Sequence, residues 1–323
     1  MSREAVTIRA VRAADTPLVT TLRPRLPVDL GLTLWPLRRG TGDPCMLAQR
    51  PGVWWRATRT PMGPATARYS SRGAEVEVLA WGAGAEWCLD RAPELLGMRD
   101  SLDGFAPDGL VARLHHAMPG LRISRSLAVF EALVPSILEQ KVAGKEARSS
   151  YRGIVRAWGA PAPGPTPATA PGTPRPLGLP PEPEVLAVTP YWEFHRFGVE
   201  MRRANTIRVA AARARRLEST AAMAPAQARQ RLGALPGVGP WTSAEVALVA
   251  LGDPDAVSVG DYHLPHLVSW ALAGEPRGSD QRMLELLAPY PGHRGRVLRL
   301  LTHSGLWAPR FGPRMPLRSF QRF

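Results

Sequence analysis

The sequence predicts an α+β protein, a small N-terminal antiparallel-sheet domain followed by an all-helical domain. Three observations predict it. Apolar residues alternate over residues 31–37, 53–59 and 75–79, the period of a half-buried strand. Beyond Gly104 the apolar spacing changes to the three-and-four step of a helix. A tract of Pro, Ala, Gly and Thr over residues 160–183 interrupts the helical region without ending it.

Residues 1–28 are mixed and Pro-containing, and read as an N-terminal arm or edge segment. Residues 29–108 form the small α+β domain. Its strands are separated by Gly/Pro turns at 40–44 and 61–64, and a helix over 85–96 closes it. Residues 109–308 form the helical domain. There Phe130, Leu133, Val134, Ile137 and Leu138 make one apolar face, and Pro135 within that stripe should kink the helix. Ala147, Tyr151, Ile154, Val155 and Trp158 face inward on the next helix, which stops at Gly159, and Trp158 reads as core. The Pro-rich tract offers a core only Leu177 and Leu179, so it reads as a surface insertion. Helices resume at residues 202–217, 225–232, 240–251, 262–272, 279–287 and 292–302. Residues 309–323 form a basic tail. Its Arg310, Arg314, Arg318 and Arg322 are separated by prolines that forbid a regular helical stripe, leaving a solvated arm or one that touches phosphate.

A chain of 323 residues with 45% hydrophobic content can bury two cores. No apolar run approaches the roughly eighteen residues of a membrane span, and the N-terminus lacks a secretory pattern. A cytoplasmic location is expected by default, with no membrane partner. Cys45 and Cys88 are the only cysteines, too few for a four-thiolate zinc or iron–sulfur site. The net charge of +14 points to a polyanionic partner. Only Lys141 and Lys145 of the 41 basic residues are lysine, which also fits coding by a GC-rich genome. Such bias chooses which basic residue appears but does not create the excess.

The stretch Leu235-Pro236-Gly237-Val238-Gly239-Pro240-Trp241-Thr242 lies between two helical patterns. Gly237 and Gly239 keep side chains away, so the backbone around Val238 and Thr242 can approach a phosphate at a helix N-terminus. Pro240 suits the first helical position, where its missing N–H would be unpaired in any residue. An ordinary tight helix–helix turn would look similar. Asp261 follows twenty residues after Trp241, at the start of the next helical pattern. An Asp there is most often an N-cap. Beside a phosphate-binding turn, an ionised carboxylate can also stabilise a cationic sugar or orient water toward its anomeric carbon. The two roles are compatible.

The hairpin, Trp241 and the Gly260-Asp261-Tyr262-His263-Leu264 segment together resemble the helix-hairpin-helix (HhH-GPD) DNA glycosylases, and among them the bacterial 3-methyladenine DNA glycosylase II (AlkA-like) group. The segment from Phe130 to Val142 resembles that family's helix ending in a Gln-containing DNA-facing tip, and Phe197-Gly-Val-Glu-Met-Arg-Arg-Ala204 resembles another of its segments. The resemblance covers residues 110–301 and is weak over the N-terminal strands. It implies that a damaged nucleotide is flipped from double-stranded DNA and its N-glycosidic bond cut. It gives Asp261 the place of the catalytic aspartate. It gives Trp241 the place where bifunctional relatives carry a Schiff-base lysine, so a monofunctional enzyme without lyase activity is expected. It implies no cofactor, allowing only a monovalent cation held by hairpin carbonyls.

Trp241, Tyr262, Tyr191 and Trp192 are candidates for an electron-rich base pocket that favours a cationic alkylpurine. Tyr191 and Trp192 read equally well as core. A cationic base needs little acid assistance, and the sequence shows no second carboxylate at the hairpin. At the tip, Gln140 and Lys141 are the DNA-facing candidates. Glu139 replaces the small residue common before the Gln, and Lys141 replaces an apolar wedge. Lys141 can instead hold a phosphate, although its pairing with Lys145 in one segment is also explicable by chance. His195, His263 and His266 lack the spacing of a metal set. Two rival functions remain at this point, a non-catalytic DNA-binding protein and a glycosylase for oxidised or deaminated bases.

Overall fold

The computed structural model describes residues 16–169 and 172–309. Most of the N-terminal arm and the four tail arginines lie outside the described residues. The N-terminal domain is a five-stranded antiparallel sheet of β1 (Leu18–Leu22), β2 (Met46–Arg50), β3 (Val53–Thr60), β4 (Gly63–Arg72) and β5 (Glu75–Trp81), in the order β1-β5-β4-β3-β2. A helix α1 (Leu30–Leu34) joins β1 to β2, and α2 (Ala85–Asp90) and α3 (Ala92–Leu95) follow β5.

The expected strand over residues 31–37 is instead α1 and a 3-10 turn, Trp35–Leu37. Asp29 caps the helix by accepting the Leu32 N–H at 2.9 Å. Leu30 and Leu34, four apart, both bury, and Pro36 lacks the N–H that a ladder needs. The arm carries β1, an edge strand, and the turn at 61–64 shrinks to Pro61 and Met62, so β4 begins at Gly63. The single helix expected over 85–96 divides at Arg91, with Pro93 in the first turn of α3.

Both sheet faces are apolar. Trp54, Tyr69, Val76 and Val78 pack with Leu30, Leu34, Cys88 and Leu95. On the other face Leu47, Val53, Trp55, Ala57 and Trp81 pack with Leu177 and Leu179, and Trp55 stacks on Trp81 at 5.4 Å. The Pro-rich tract is therefore a strap across the sheet rather than a free surface insertion. It forms two small hairpins, β6 (Ala160–Pro161) with β9 (Gly178–Leu179), and β7 (Ala168–Thr169) with β8 (Thr173–Pro174). Gly178 N–H donates to the Pro44 carbonyl at 2.8 Å, and Gln49 Nε2 to the Ala168 carbonyl at 2.6 Å. A second apolar face left wet would cost about 25 cal/mol per Å², which is why the strap carries two leucines.

The helical domain comprises α4 (Gly109–Ala117), α5 (Val129–Leu138), α6 (Gly144–Trp158), α7 (Pro183–Val188), a 3-10 segment Tyr191–Phe197, α8 (Met201–Ala211), α9 (Ala214–Glu218), α10 (Pro225–Gly233), α11 (Pro240–Val246), α12 (Leu264–Ala273), α13 (Asp280–Leu287) and α14 (Arg294–His303). A π turn, Ala247–Leu251, continues α11. Every residue of α5 except Glu131 is buried, and α5 packs on α6, α8, α9 and α11. It runs on through Pro135. The Glu218 carboxylate accepts the Val129 and Phe130 N–H groups at 2.9 and 2.8 Å, supplying the cap that the sequence before α5 lacks. Trp158 packs edge-on against Phe194 and Phe197, as its core reading requires.

Two ion pairs join the domains, one buried and one half-buried. Arg296 of α14 meets Asp100 at 2.5 Å. Arg56 of β3 meets Glu131 of α5 at 2.7 Å, and Thr58 Oγ1 donates to the same carboxylate at 2.6 Å. Burial pulls the Arg56 guanidinium down, and the charge and hydrogen bond of Glu131, with Tyr69 and Cys88 nearby, together more than offset that, leaving it above its usual value. Glu131→Ala strands this charge, and urea unfolding should show a loss of about 3 kcal/mol. Replacing both partners with apolar residues should recover much of that loss, because no buried charge is then left unpaired.

Candidate active site

The hairpin joins α10 to α11. Leu232, Leu235 and Val238 bury their side chains in the helical core. Gly237 has φ +87, and a Cβ there would lie 2.2 Å from Thr206 Oγ1, so both conformation and space demand glycine. Gly239 differs. Its φ is −97, and a Cβ would meet nothing within 4 Å. The fold does not need glycine at 239. The open side of the turn does, if a backbone is to approach it closely. Val238 donates its N–H to the Leu235 carbonyl at 3.0 Å. Its donor and side chain are both engaged within the turn, which leaves Gly239 and the first-turn amides of α11 as the outward donors.

Gln140 follows α5 and reaches the hairpin. Its Nε2 donates to the Gly237 carbonyl at 3.0 Å and to Thr242 Oγ1 at 2.8 Å. The buried Thr242 side chain thus braces the turn from inside. Lys141, next in the chain, is exposed and holds φ +55, a strained conformation for a residue with a Cβ.

Asp261 lies three residues before α12 rather than at its first position. Its Oδ1 accepts the His263 and Leu264 N–H groups at 2.7 and 2.8 Å, and its Oδ2 accepts Trp241 Nε1–H at 3.0 Å. The carboxylate therefore caps the helix and is also tied to the hairpin helix. Gly260, at φ +91, donates its N–H to both Asp280 oxygens at 3.1 and 3.0 Å, which fixes the chain entering Asp261.

The expectation of no second carboxylate at the hairpin is corrected. Glu245 sits four residues after Trp241 on α11, and Ser258 Oγ donates to its Oε1 at 2.5 Å. Asp261 N–H in turn donates to the Ser258 carbonyl at 3.2 Å. Glu139, beside Gln140, has Arg39 as an ion-pair partner at 3.6 Å. Burial pushes the Glu139 carboxyl above the usual carboxylate range. The Glu245 and Asp261 charges add to that push, while Arg39 and Arg148 oppose it. The i, i+4 spacing of Trp241 and Glu245 was readable in the sequence. The approach of Arg39 from the N-terminal domain was not.

Tyr262 is 76% exposed, its ring edge-on to His263 at 4.9 Å. Tyr191 and Trp192 lie on the 3-10 segment that packs on α6 and α8. Their rings meet each other at 5.3 Å, and Tyr191 meets His195 at 5.6 Å. Among the described residues, no hydrogen bond or ring contact joins these two to Trp241 or Asp261. His266 Nδ1 accepts the Gly278 N–H at 3.0 Å. No group of three or more His, Cys, Asp or Glu among the described residues is arranged to hold a metal ion. No helix among them is long and apolar enough to cross a membrane.

A sheet domain ahead of a helical domain whose hairpin faces an aspartate defines a known class of fold. The chain has the fold of the helix-hairpin-helix DNA glycosylases. It is similar to the 3-methyladenine DNA glycosylase of Archaeoglobus fulgidus, with a TM-score of 0.72 and 19% identity, covering 88% of this chain and 97% of that one. It is also similar to the 8-oxoguanine glycosylase/lyase of Clostridium acetobutylicum in its apo form, with a TM-score of 0.66 and 14% identity, covering 90% and 98%. In sequence it is 34% identical over 149 residues to a probable bifunctional transcriptional activator/DNA repair enzyme AlkA of Mycobacterium tuberculosis. That match covers 45% of this chain and spans 28% of the relative's length. No family model matches the chain.

The two glycines should separate in stability measurements. Gly237→Ala must strain a left-handed position and displace Thr206, an expected loss of about 1–3 kcal/mol in urea unfolding. Gly239→Ala should change stability by no more than about 0.5 kcal/mol.

Proposed function

We propose that this chain is a monofunctional DNA glycosylase of base excision repair. It binds double-stranded DNA as a monomer and hydrolyses the N-glycosidic bond of a flipped, damaged nucleotide, with alkylated purines as substrates. The observation that carries this reading is the Trp241–Asp261 hydrogen bond of 3.0 Å. It fixes a carboxylate beside an open turn, and the family resemblance gives the Trp241 indole the position where a lyase would need an amine, which supports the monofunctional reading. In this reading Gly239 and the first-turn amides of α11 hold the DNA backbone. Asp261 faces the sugar and stabilises the positive charge that develops at C1′ as the base departs. Its hydrogen bonds pre-set its orientation, so none has to reorganise during bond cleavage. Trp241 and Tyr262, with Tyr191 and Trp192 from an earlier segment of the chain, offer aromatic faces to a cationic base. Lys141 takes a phosphate at the tip.

The helix cap made by Asp261 favours one rival, a non-catalytic DNA binder that keeps the residue for structure alone. The likeness to an 8-oxoguanine glycosylase/lyase favours another, an enzyme for oxidised bases. Asp261→Asn separates the first, because asparagine keeps the Oδ1 acceptor of the cap and removes the charge. Base release from alkylated duplex should fall about a hundredfold or more, with duplex affinity near wild type and stability lowered by about 1 kcal/mol, because the asparagine Nδ2 cannot accept the Trp241 Nε1–H bond. Strand breaks should appear in the wild-type product only after alkali treatment. Absence of base release by the wild type across alkylated, oxidised and deaminated duplexes would sink the enzymatic reading. Mass spectrometry of the released bases decides between alkylated and oxidised substrates. Lys141→Ala should weaken duplex binding and reduce the salt slope of the affinity by about one, as loss of a single phosphate contact does.

A further inference from the structure

Among residues 241–250, only Trp241 and Glu245 are not buried. They stand four apart on α11, so their side chains leave the helix on one face, one turn from each other. Both reach the same stretch of chain. Trp241 Nε1–H donates to Asp261 Oδ2 at 3.0 Å, and Glu245 Oε1 accepts the Ser258 hydroxyl at 2.5 Å. Among the described residues this is the one hydrogen bond that the Glu245 carboxylate makes.

Residues 258–261 form a turn. Asp261 N–H donates to the Ser258 carbonyl at 3.2 Å, and Gly260, at the third position, holds φ +91. A type II turn requires a positive φ there, and glycine supplies it without strain. Ser258 is 2% exposed, while Gly260, Tyr262 and His263 are exposed. Ser258 is therefore the last buried residue before the chain emerges to carry Asp261. The tie from Gly260 to Asp280 is open to water, so the buried anchor of the turn is the Ser258–Glu245 bond.

The two contacts from α11 fit together as rungs. Four helical residues rise about 6 Å along the axis, and the ends of a β-turn lie within about 7 Å of each other. One turn of α11 thus spans one β-turn, with Trp241 at the Asp261 end and Glu245 at the Ser258 end. The Trp241 rung and the α12 cap orient the carboxylate. The Glu245 rung fixes the turn on which that carboxylate is mounted.

We propose that Glu245 is a positioning residue that, through Ser258, sets the turn aiming the Asp261 carboxylate at the sugar. This rests on the glycosylase reading above. In this role Glu245 touches neither substrate nor reacting atoms. Its contribution is the placement of Asp261, and a shift of about 1 Å in a reacting group can cost about a hundredfold in rate. The hydrogen bond acts here, not the charge, so an amide that keeps the Oε1 acceptor does the same.

The test uses the full chain in single-turnover assays on duplexes carrying 7-methylguanine, 8-oxoguanine or hypoxanthine, with the variants compared on the base that the wild type releases fastest. Glu245→Ala and Ser258→Ala should each lower the rate about tenfold or more and leave duplex affinity unchanged. The double variant should lose no more than the slower single one, since both remove the same bond. Glu245→Gln should recover most of the rate lost in Glu245→Ala. In an Asp261→Asn background, Glu245→Ala should cost nothing further, because Glu245 acts only through Asp261. Ser258→Ala removes a single oxygen and carries the comparison where Glu245→Ala proves too unstable to assay. A wild-type rate in Ser258→Ala, a Glu245→Gln as slow as Glu245→Ala, or a further loss in the Asp261→Asn background overturns the positioning role and leaves the glycosylase reading standing. A wild type that releases none of the three bases overturns both.

Discussion

The side-chain amide of Gln140 holds the site together. Its two bonds, to the Gly237 carbonyl and the Thr242 hydroxyl, join the end of the buried helix α5 to both sides of the hairpin. An Nε2 group has two hydrogens to donate, and both are used here. The hairpin is thereby fixed from inside, while the open side at Gly239 stays free of protein atoms. Immediately after Gln140 the chain turns, with Lys141 exposed in a left-handed conformation.

Charge is distributed unevenly around this frame. The chain carries a net +14, yet three carboxylates, Glu139, Glu245 and Asp261, gather beside the hairpin. Arginines from three other elements surround them, Arg39 from the sheet domain, Arg148 from α6 and Arg299 from α14. A basic exterior draws a polyanion in, and an acidic interior opposes any phosphate that goes deeper than the turn. In the proposed reaction a sugar with its base enters there, and the positive charge that develops on bond cleavage is stabilised.

The sheet domain supplies more than bulk. Its apolar second face is closed by the strap, and the Arg56–Glu131 pair and the buried Arg296–Asp100 pair lock it against α5 and α14. The loop over residues 38–43 is thus held where Arg39 can meet Glu139. Buried charges of this kind contribute less to stability than to the choice of one relative placement, since each is costly when unpaired.

The sequence by itself determined what depends on local spacing. The apolar stripe of α5, the period-two runs of β3 and β5, and the hairpin with its first-position Pro240 were all legible because one residue's neighbours in the chain are its neighbours in space. Leu177 and Leu179 were legible as the apolar residues of the Pro-rich tract, and Asp261 as a cap. Residues 31–37 misled because alternation over so short a run also fits two helical positions four apart, and the cap at Asp29 and Pro36 decided for helix. Only the tertiary structure decided what the tract covers, that Asp261 is hydrogen-bonded to Trp241, and that Arg39 meets Glu139. Arg39 and Glu139 lie 100 positions apart in the chain, and no spacing rule links them. Burial and mutual charge, which set the protonation of Glu139, exist only once the chain has folded around them.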